Sequence, residues 1–154
     1  MVARLHRWAL TDMVDAAIGR LTGARPLLQE VLGLGFVSDV RDPILGLPVK
    51  KSGRTTGVTT GIITDESATI AIASTGRIFH NQFVIENDGA EVSGPGDSGS
   101  LWIDDLNWVV GLHFAGSPGR AGANPMLAVL DALNISIGLS VMDLISASVT
   151  LGLL

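Results

Sequence analysis

Nineteen glycines punctuate this sequence, and between them lie short runs rich in Val, Ile and Thr, bounded by Gly, Asn, Asp and Ser clusters. β-Branched residues favour a pleated, half-buried surface, and such clusters favour turns, so the pattern predicts an all-β chain of short strands with little helix. The expected strands are Arg4–Leu10, Val14–Leu21, Val49–Ser52, Gly57–Thr64, Ala68–Ser74, Phe79–Glu86, Ser100–Ile103, Val109–Phe114 and Asn124–Val129. From Asn124 onward, PMLAVLDAL places apolar side chains at helical and strand spacings alike, and periodicity does not separate the two. Between Thr22 and Pro48 the density of Gly and Pro marks a linker, with one short helix at Pro26–Leu32, since Pro suits a first helical turn.

At 154 residues the chain has the length of one domain. With 47% apolar and 16% charged residues it belongs with globular proteins rather than disordered ones. The net charge of −5 and the lack of a basic run leave little to bind phosphate, which argues against a nucleic-acid partner. The absence of cysteine removes disulfides, thiolate zinc sites and a thiol nucleophile, and neither a metal nor a cofactor is expected. The first 21 residues lack the apolar stretch of ~7–15 residues that a secretory signal needs, so a cytoplasmic location is expected if Met1 is the natural start. The C-terminal run ISIGLSVMDLISASVTLGLL reaches the length of a membrane span, but Asp143 in its middle favours a packed terminal segment over an anchor.

The stretch Gly94-Pro95-Gly96-Asp97-Ser98-Gly99-Ser100 carries the chemistry. Acyl transfer by serine needs a hydroxyl on an exposed turn and two backbone N–H groups converging where the carbonyl oxygen becomes negative. Glycines allow both the turn and the close approach of substrate. The N–H groups of Gly96 and Ser98 are the candidate oxyanion donors. A plain glycine-rich β-turn fits these seven residues equally well.

The residues after the turn are more specific. GDSGS leads into the apolar strand LWI, the turn Asp104-Asp105-Leu106-Asn107, and then WVVGLHFAG. This order resembles the second barrel of trypsin/chymotrypsin-like serine peptidases of the bacterial branch. VKKSGRTTGVTTGIITD is similar to that barrel's opening strands, and ANPMLAVLDAL to its closing strand and terminal helix. The resemblance spans Val49 to Leu133 and implies a chymotrypsin-like antiparallel β-barrel with an incomplete second barrel and a short C-terminal helix. It divides the chain into first-barrel remnant strands at 1–22, a linker at 23–48, a barrel with the nucleophile turn at 49–134, and an apolar tail at 135–154. The same resemblance implies that Ser98 is the nucleophile. Asp15, in Met13-Val14-Asp15-Ala16-Ala17-Ile18, is similar to the triad aspartate that opens a short apolar strand and would orient an imidazole.

Gly111-Leu112-His113-Phe114-Ala115-Gly116 resembles the strand beside the specificity pocket of glutamyl endopeptidases, whose histidine binds a Glu or Gln side chain. Ser93, five positions before the nucleophile, would share that pocket, and Phe114, Ala115 and Gly116 would pair with substrate backbone. A satisfied interior histidine is the alternative reading of His113. Asp97 reads as a turn residue and Arg54 as a solvated strand-end charge.

The base is missing. His6 lies nine residues before Asp15 and lacks the small-residue turn of a catalytic histidine, and His80 falls on a second-barrel strand. Losing the base from a Ser-His-Asp unit costs on the order of 10⁶ in turnover. Two lone first-barrel strands also leave sheet edges uncovered. The sequence therefore implies a serine endopeptidase, or the C-terminal part of one, acting on peptide or protein substrates and joined by a histidine-bearing N-terminal fragment or a further copy of itself, with no membrane partner. The alternative is an inactive protease-fold module that binds extended peptides or assembles with a partner chain.

Overall fold

The computed structural model describes residues 1–24, 28 and 30–137. The apolar run beyond 137, expected to pack as a terminal segment, lies outside the described residues.

Six strands close on one another. β6 (Pro48–Gly53), β7 (Gly57–Ile72), β8 (Arg77–Glu86), β9 (Leu101–Ile103), β10 (Trp108–Ser117) and β11 (Arg120–Pro125) run in the order β11-β8-β7-β6-β9-β10, and β11 also pairs with β10. Closure removes free sheet edges. Alternate side chains then point inward, and Val49, Ile63, Phe83, Ile85, Val92, Trp102, Val110, Ala121 and Ala123 fill the interior. Gly111 is required there: a Cβ would collide with the Phe83 ring and lie 2.5 Å from the Asn124 carbonyl oxygen.

Three local expectations change. Gly57–Thr64 and Ala68–Ser74 are one strand, β7, whose pairing with β8 shifts register between Ile63 and Ile70. The polar stretch Asp65-Glu66-Ser67 bulges there, with the Ser67 N–H donating to Asp65 Oδ1 at 2.9 Å. The strand expected at Asn124–Val129 stops at Pro125, which has no N–H for a ladder, and helix α1 (Met126–Leu133) begins. That helix buries Met126, Val129 and Leu133 and ends on Asn134 in the left-handed conformation, φ 48°. The third change lies in the 23–48 stretch. Of the helix expected at Pro26–Leu32, residues 26, 27 and 29 lie outside the described residues, while Glu30–Val31 form a short strand, β3. It pairs with β4 (Gly35–Phe36) because Gly33 and Gly35, at φ 77° and 93°, turn the chain back on itself. β5 (Asp39–Val40) then adds in parallel to β10.

β1 (Ala3–Leu10) and β2 (Asp15–Leu21) make a separate two-stranded sheet. Its inner face presents Ala9, Ala16 and Ile18, which pack with Val14 against α1 and the outside of the barrel. Arg7 donates to the last helical carbonyl, Leu133 O, at 2.6 Å, placing a cation at the negative end of α1. The hairpin tip is fastened to β8: the His80 N–H donates to Asp12 O at 2.7 Å, and Gln82 Nε2 to Met13 O at 2.8 Å. Among the described residues, no helix is long and apolar enough to cross a membrane.

Candidate active site

The turn from Gly94 to Ser100 is built around one buried carboxylate. Asp97 Oδ2 accepts from the Gly94 N–H at 3.0 Å and from Thr56 Oγ1 at 2.6 Å, and Oδ1 accepts from the Thr55 N–H at 2.8 Å. Lys51 Nζ completes the set at 3.0 Å from Oδ2, with both side chains fully buried. Burial alone would push this carboxyl up. The Thr56 hydroxyl, the Gly94 and Thr55 amides and the lysine outweigh it and hold the group well below the usual carboxylate range. Asp97 is therefore not the simple turn residue expected from the sequence. It is the anchor that fixes the turn from below.

That anchoring leaves two amides of the turn over. The Gly94 N–H is taken by Asp97 Oδ2, the Asp97 N–H by Gly94 O, the Gly99 N–H by His113 O and the Ser100 N–H by Asp97 O, while Pro95 has no N–H. Among the described residues, only the Gly96 and Ser98 N–H groups of this turn remain without a partner. Both residues are exposed, so these two donors face solvent beside the serine hydroxyl and are open to an acceptor from outside the chain. Gly96 sits at φ 102°, a conformation L side chains rarely adopt.

Ser98 opens onto a cleft of about 650 Å³ lined by Glu91, Ser93, Gly94, Pro95, Phe114 and Gly116, among others. Ser93 turns its hydroxyl toward Gly116, where a Cβ would strike it. Phe114 is held by an edge-on contact with Phe79, ring centroids 5.1 Å apart. β9 pairs with β10 only as far as Leu112. His113 then exchanges backbone bonds with Gly99 and Ser100, and beyond it that edge of Phe114–Ser117 has no partner strand among the described residues. Ser98, Ser93, Phe114, Ala115 and Gly116 thus come together on one cleft.

His113 does not join them. It is buried outside the lining, edge-on to Trp102 with ring centroids 6.2 Å apart, and its Nδ1 has no hydrogen-bond partner among the described residues. Burial pushes its pKa down to about 4, helped by the Lys51 cation and partly opposed by Asp97, so the ring is neutral at ordinary pH. Asp15 opens β2 with its carboxylate exposed and its N–H donating to Asn124 Oδ1 at 3.1 Å. Asn124 pairs with Leu112, next to the cleft-forming part of β10. His6 lies 3.4 Å from an Arg20 nitrogen, and His80 Nδ1 lies 3.2 Å from Thr69 Oγ1. Among the described residues, no histidine lines the cleft, no side chain hydrogen-bonds to Ser98 Oγ, and no cluster of His, Asp and Glu is placed to hold a metal ion.

Lys51 was not singled out by the sequence reading, although a signal was present. Lys50 and Lys51 are adjacent on a strand, where neighbouring side chains point to opposite faces, so one of them must enter the barrel. A lysine sent inward requires a buried anion.

Comparison with solved structures places this architecture. A glutamic-acid-specific serine protease described as using a histidine triad in substrate binding superposes with a TM-score of 0.73 at 22% identity, over 89% of this chain and 74% of that one. A Cellulomonas bogoriensis chymotrypsin gives 0.75 at 21% identity, over 90% and 76%. The Nocardiopsis protease NAPase gives 0.71 at 23% identity, over 86% and 71%. The chain therefore has the fold of bacterial chymotrypsin-like serine proteases. No family model matches the sequence, and no curated protein is similar enough to count as a relative.

Proposed function

We propose that this chain carries serine endopeptidase chemistry at Ser98. The observation that supports the reading best is the pair of unpartnered N–H groups, Gly96 and Ser98, beside an exposed hydroxyl at the mouth of a cleft. An extended peptide adds to the open edge of Phe114–Gly116 and sets its carbonyl carbon against Ser98 Oγ. As Oγ bonds to that carbon its proton passes to an imidazole, and the carbonyl oxygen, now negative, accepts from the two amides. Collapse returns the proton to the leaving amine and leaves an acyl-serine, which water hydrolyses by the same proton path. Asp15 orients the imidazole in this reading.

That imidazole comes from a histidine-bearing segment or a further copy of the chain, seated on the outer face of β1–β2. The outer face suits such a role because it is apolar, because both edges of its sheet are unpaired among the described residues, and because Asp15 shares it through its pairing with Leu10. Ser93 lines the cleft and His113 does not, so the cleft holds the hydroxyl but lacks the imidazole of the pair expected to bind a Glu or Gln side chain.

The absence of any histidine from the cleft lining favours a second reading, a non-catalytic module that holds extended peptides in the same groove. A fluorophosphonate probe separates the two. Labelling of wild-type protein but not of Ser98→Ala, rising when imidazole or a co-expressed histidine-bearing segment is added, supports the peptidase. Absence of labelling under all of these conditions supports the binding module.

A further inference from the structure

The cleft contains one charged side chain. Glu91 is exposed on its wall, and Oε1 lies 3.6 Å from the place a Cβ would occupy on Gly94. Its carboxylate has no ion-pair or hydrogen-bond partner among the described residues. A second lone charge stands across the turn. The Arg54 guanidinium packs directly on Gly96, with Cζ 3.2 Å from the position of a Cβ there, and it too has no partner among the described residues. Gly94, Pro95 and Ser98 line the cleft, whereas Gly96 and Arg54 do not, so the nucleophile turn separates the two charges.

Both charges come from neighbouring loops that the Asp97 anchor holds against the turn, because Thr55 and Thr56, next to Arg54, bond the same carboxylate that bonds Gly94. The turn stands between the two side chains, and both are exposed, open to a charged group from outside the chain.

We infer that the site selects peptides by the order of charge across the bond held at Ser98, taking a cationic side chain into the Glu91 cleft and an acidic one beside Arg54. The inference rests on reading the cleft as a peptide site, and it names the substrate class for that site. A glutamate side chain entering the cleft would face Glu91 with no cation to offset it, whereas lysine or arginine would complete an ion pair over an apolar floor of Phe114 and Ala115.

The test compares two fluorescein-labelled hexapeptides of identical composition and net charge, Ala-Ala-Lys-Asp-Ala-Ala and Ala-Ala-Asp-Lys-Ala-Ala. Binding is measured by fluorescence anisotropy to the Ser98→Ala protein, so that nothing turns over. The Lys-Asp order is expected to bind about fivefold more tightly at low salt, the size two exposed ion pairs can supply. The difference is expected to vanish in the Glu91→Gln, Arg54→Gln double variant, whose changes are on the surface. Equal binding of the two orders, or a difference unmoved by the double variant, overturns the charge inference and leaves the peptide cleft standing. No binding of either peptide overturns both.

Discussion

Lys51 Nζ lies 3.0 Å from Asp97 Oδ2 at full burial of both side chains, and Asp97 is the residue before Ser98. The lysine reaches it from β6 and the carboxylate from the Gly94–Ser100 turn, so this contact ties the barrel wall to the residue before the serine. Ionic attraction at this depth is offset by the desolvation of both groups. The pair contributes geometry more than stability. Asp97 also orders Gly94, Thr55 and Thr56 through three further hydrogen bonds, and the Gly96 and Ser98 amides are without a partner among the described residues.

Lys51→Met is accordingly expected to cost about 3–5 kcal/mol, the range for stranding a buried charge. The double variant Lys51→Met, Asp97→Asn should recover part of this loss, because no ion is then left unpaired. Urea denaturation of the three proteins measures the coupling. Equal stability of the single and double variants would show that the carboxylate does not need the lysine.

Asp97 also gives an acid signature. Its folded pKa lies below the unfolded value of ~3.9, so the stabilisation is complete above that pH and is lost as pH falls through it toward the folded value. Asp97→Asn is expected to flatten the fall in stability below about pH 4 while lowering stability at pH 7. Urea midpoints across an acid titration of both proteins check this, and parallel curves would count against it.

His113 acts in a higher window. Unfolded it titrates near ~6.5, and folded it resists protonation down to about 4, so acid favours the unfolded chain throughout that interval. Stability should be level above about pH 7 and fall from there to about pH 4, by on the order of 3 kcal/mol in total. His113→Leu should remove the slope in that interval. An unchanged slope in the variant would mean that the imidazole is reached by solvent or charged in the fold.

Much of this was legible in local sequence because the relevant constraints are local. Gly96 and the serine after Asp97 are set by what a tight turn permits, and the strands around them by β-branched runs, so turn and strands could be placed from residue types, while the cleft edge at Phe114–Gly116 followed from the resemblance to chymotrypsin-like peptidases. Lys51 and Asp97 are 46 residues apart, and nothing near either announces the other. Only closure of the barrel brings them together. The side-chain direction of His113 likewise depends on how β10 registers with β9 and β11, including the shift between His113 and Ala115, and a one-residue slip reverses which face a side chain takes. Arg54 could be placed at a strand end, but its packing on Gly96 depends on two loops meeting.

The β1–β2 sheet supplies the last prediction. Pairing places Trp8 opposite Ala17, Leu5 opposite Gly19, Ala3 opposite Leu21 and Leu10 opposite Asp15, all on the face turned away from α1. Trp8 is 69% exposed and Leu5 68%, although the opposite face of the same hairpin, with Ala16 and Ile18, is already packed against α1. A hairpin with two apolar faces, and with both edges unpaired among the described residues, is built for cover on both sides, and without it the outer face should draw chains together. Trp8→Ser with Leu5→Ser is expected to reduce concentration-dependent association in sedimentation velocity. Unfolding free energy should move by no more than about 1 kcal/mol, since neither side chain supports the barrel core. Wild-type protein that stays monomeric at high concentration, or a double variant that unfolds several kcal/mol more easily, would mean that this face is already satisfied within the chain.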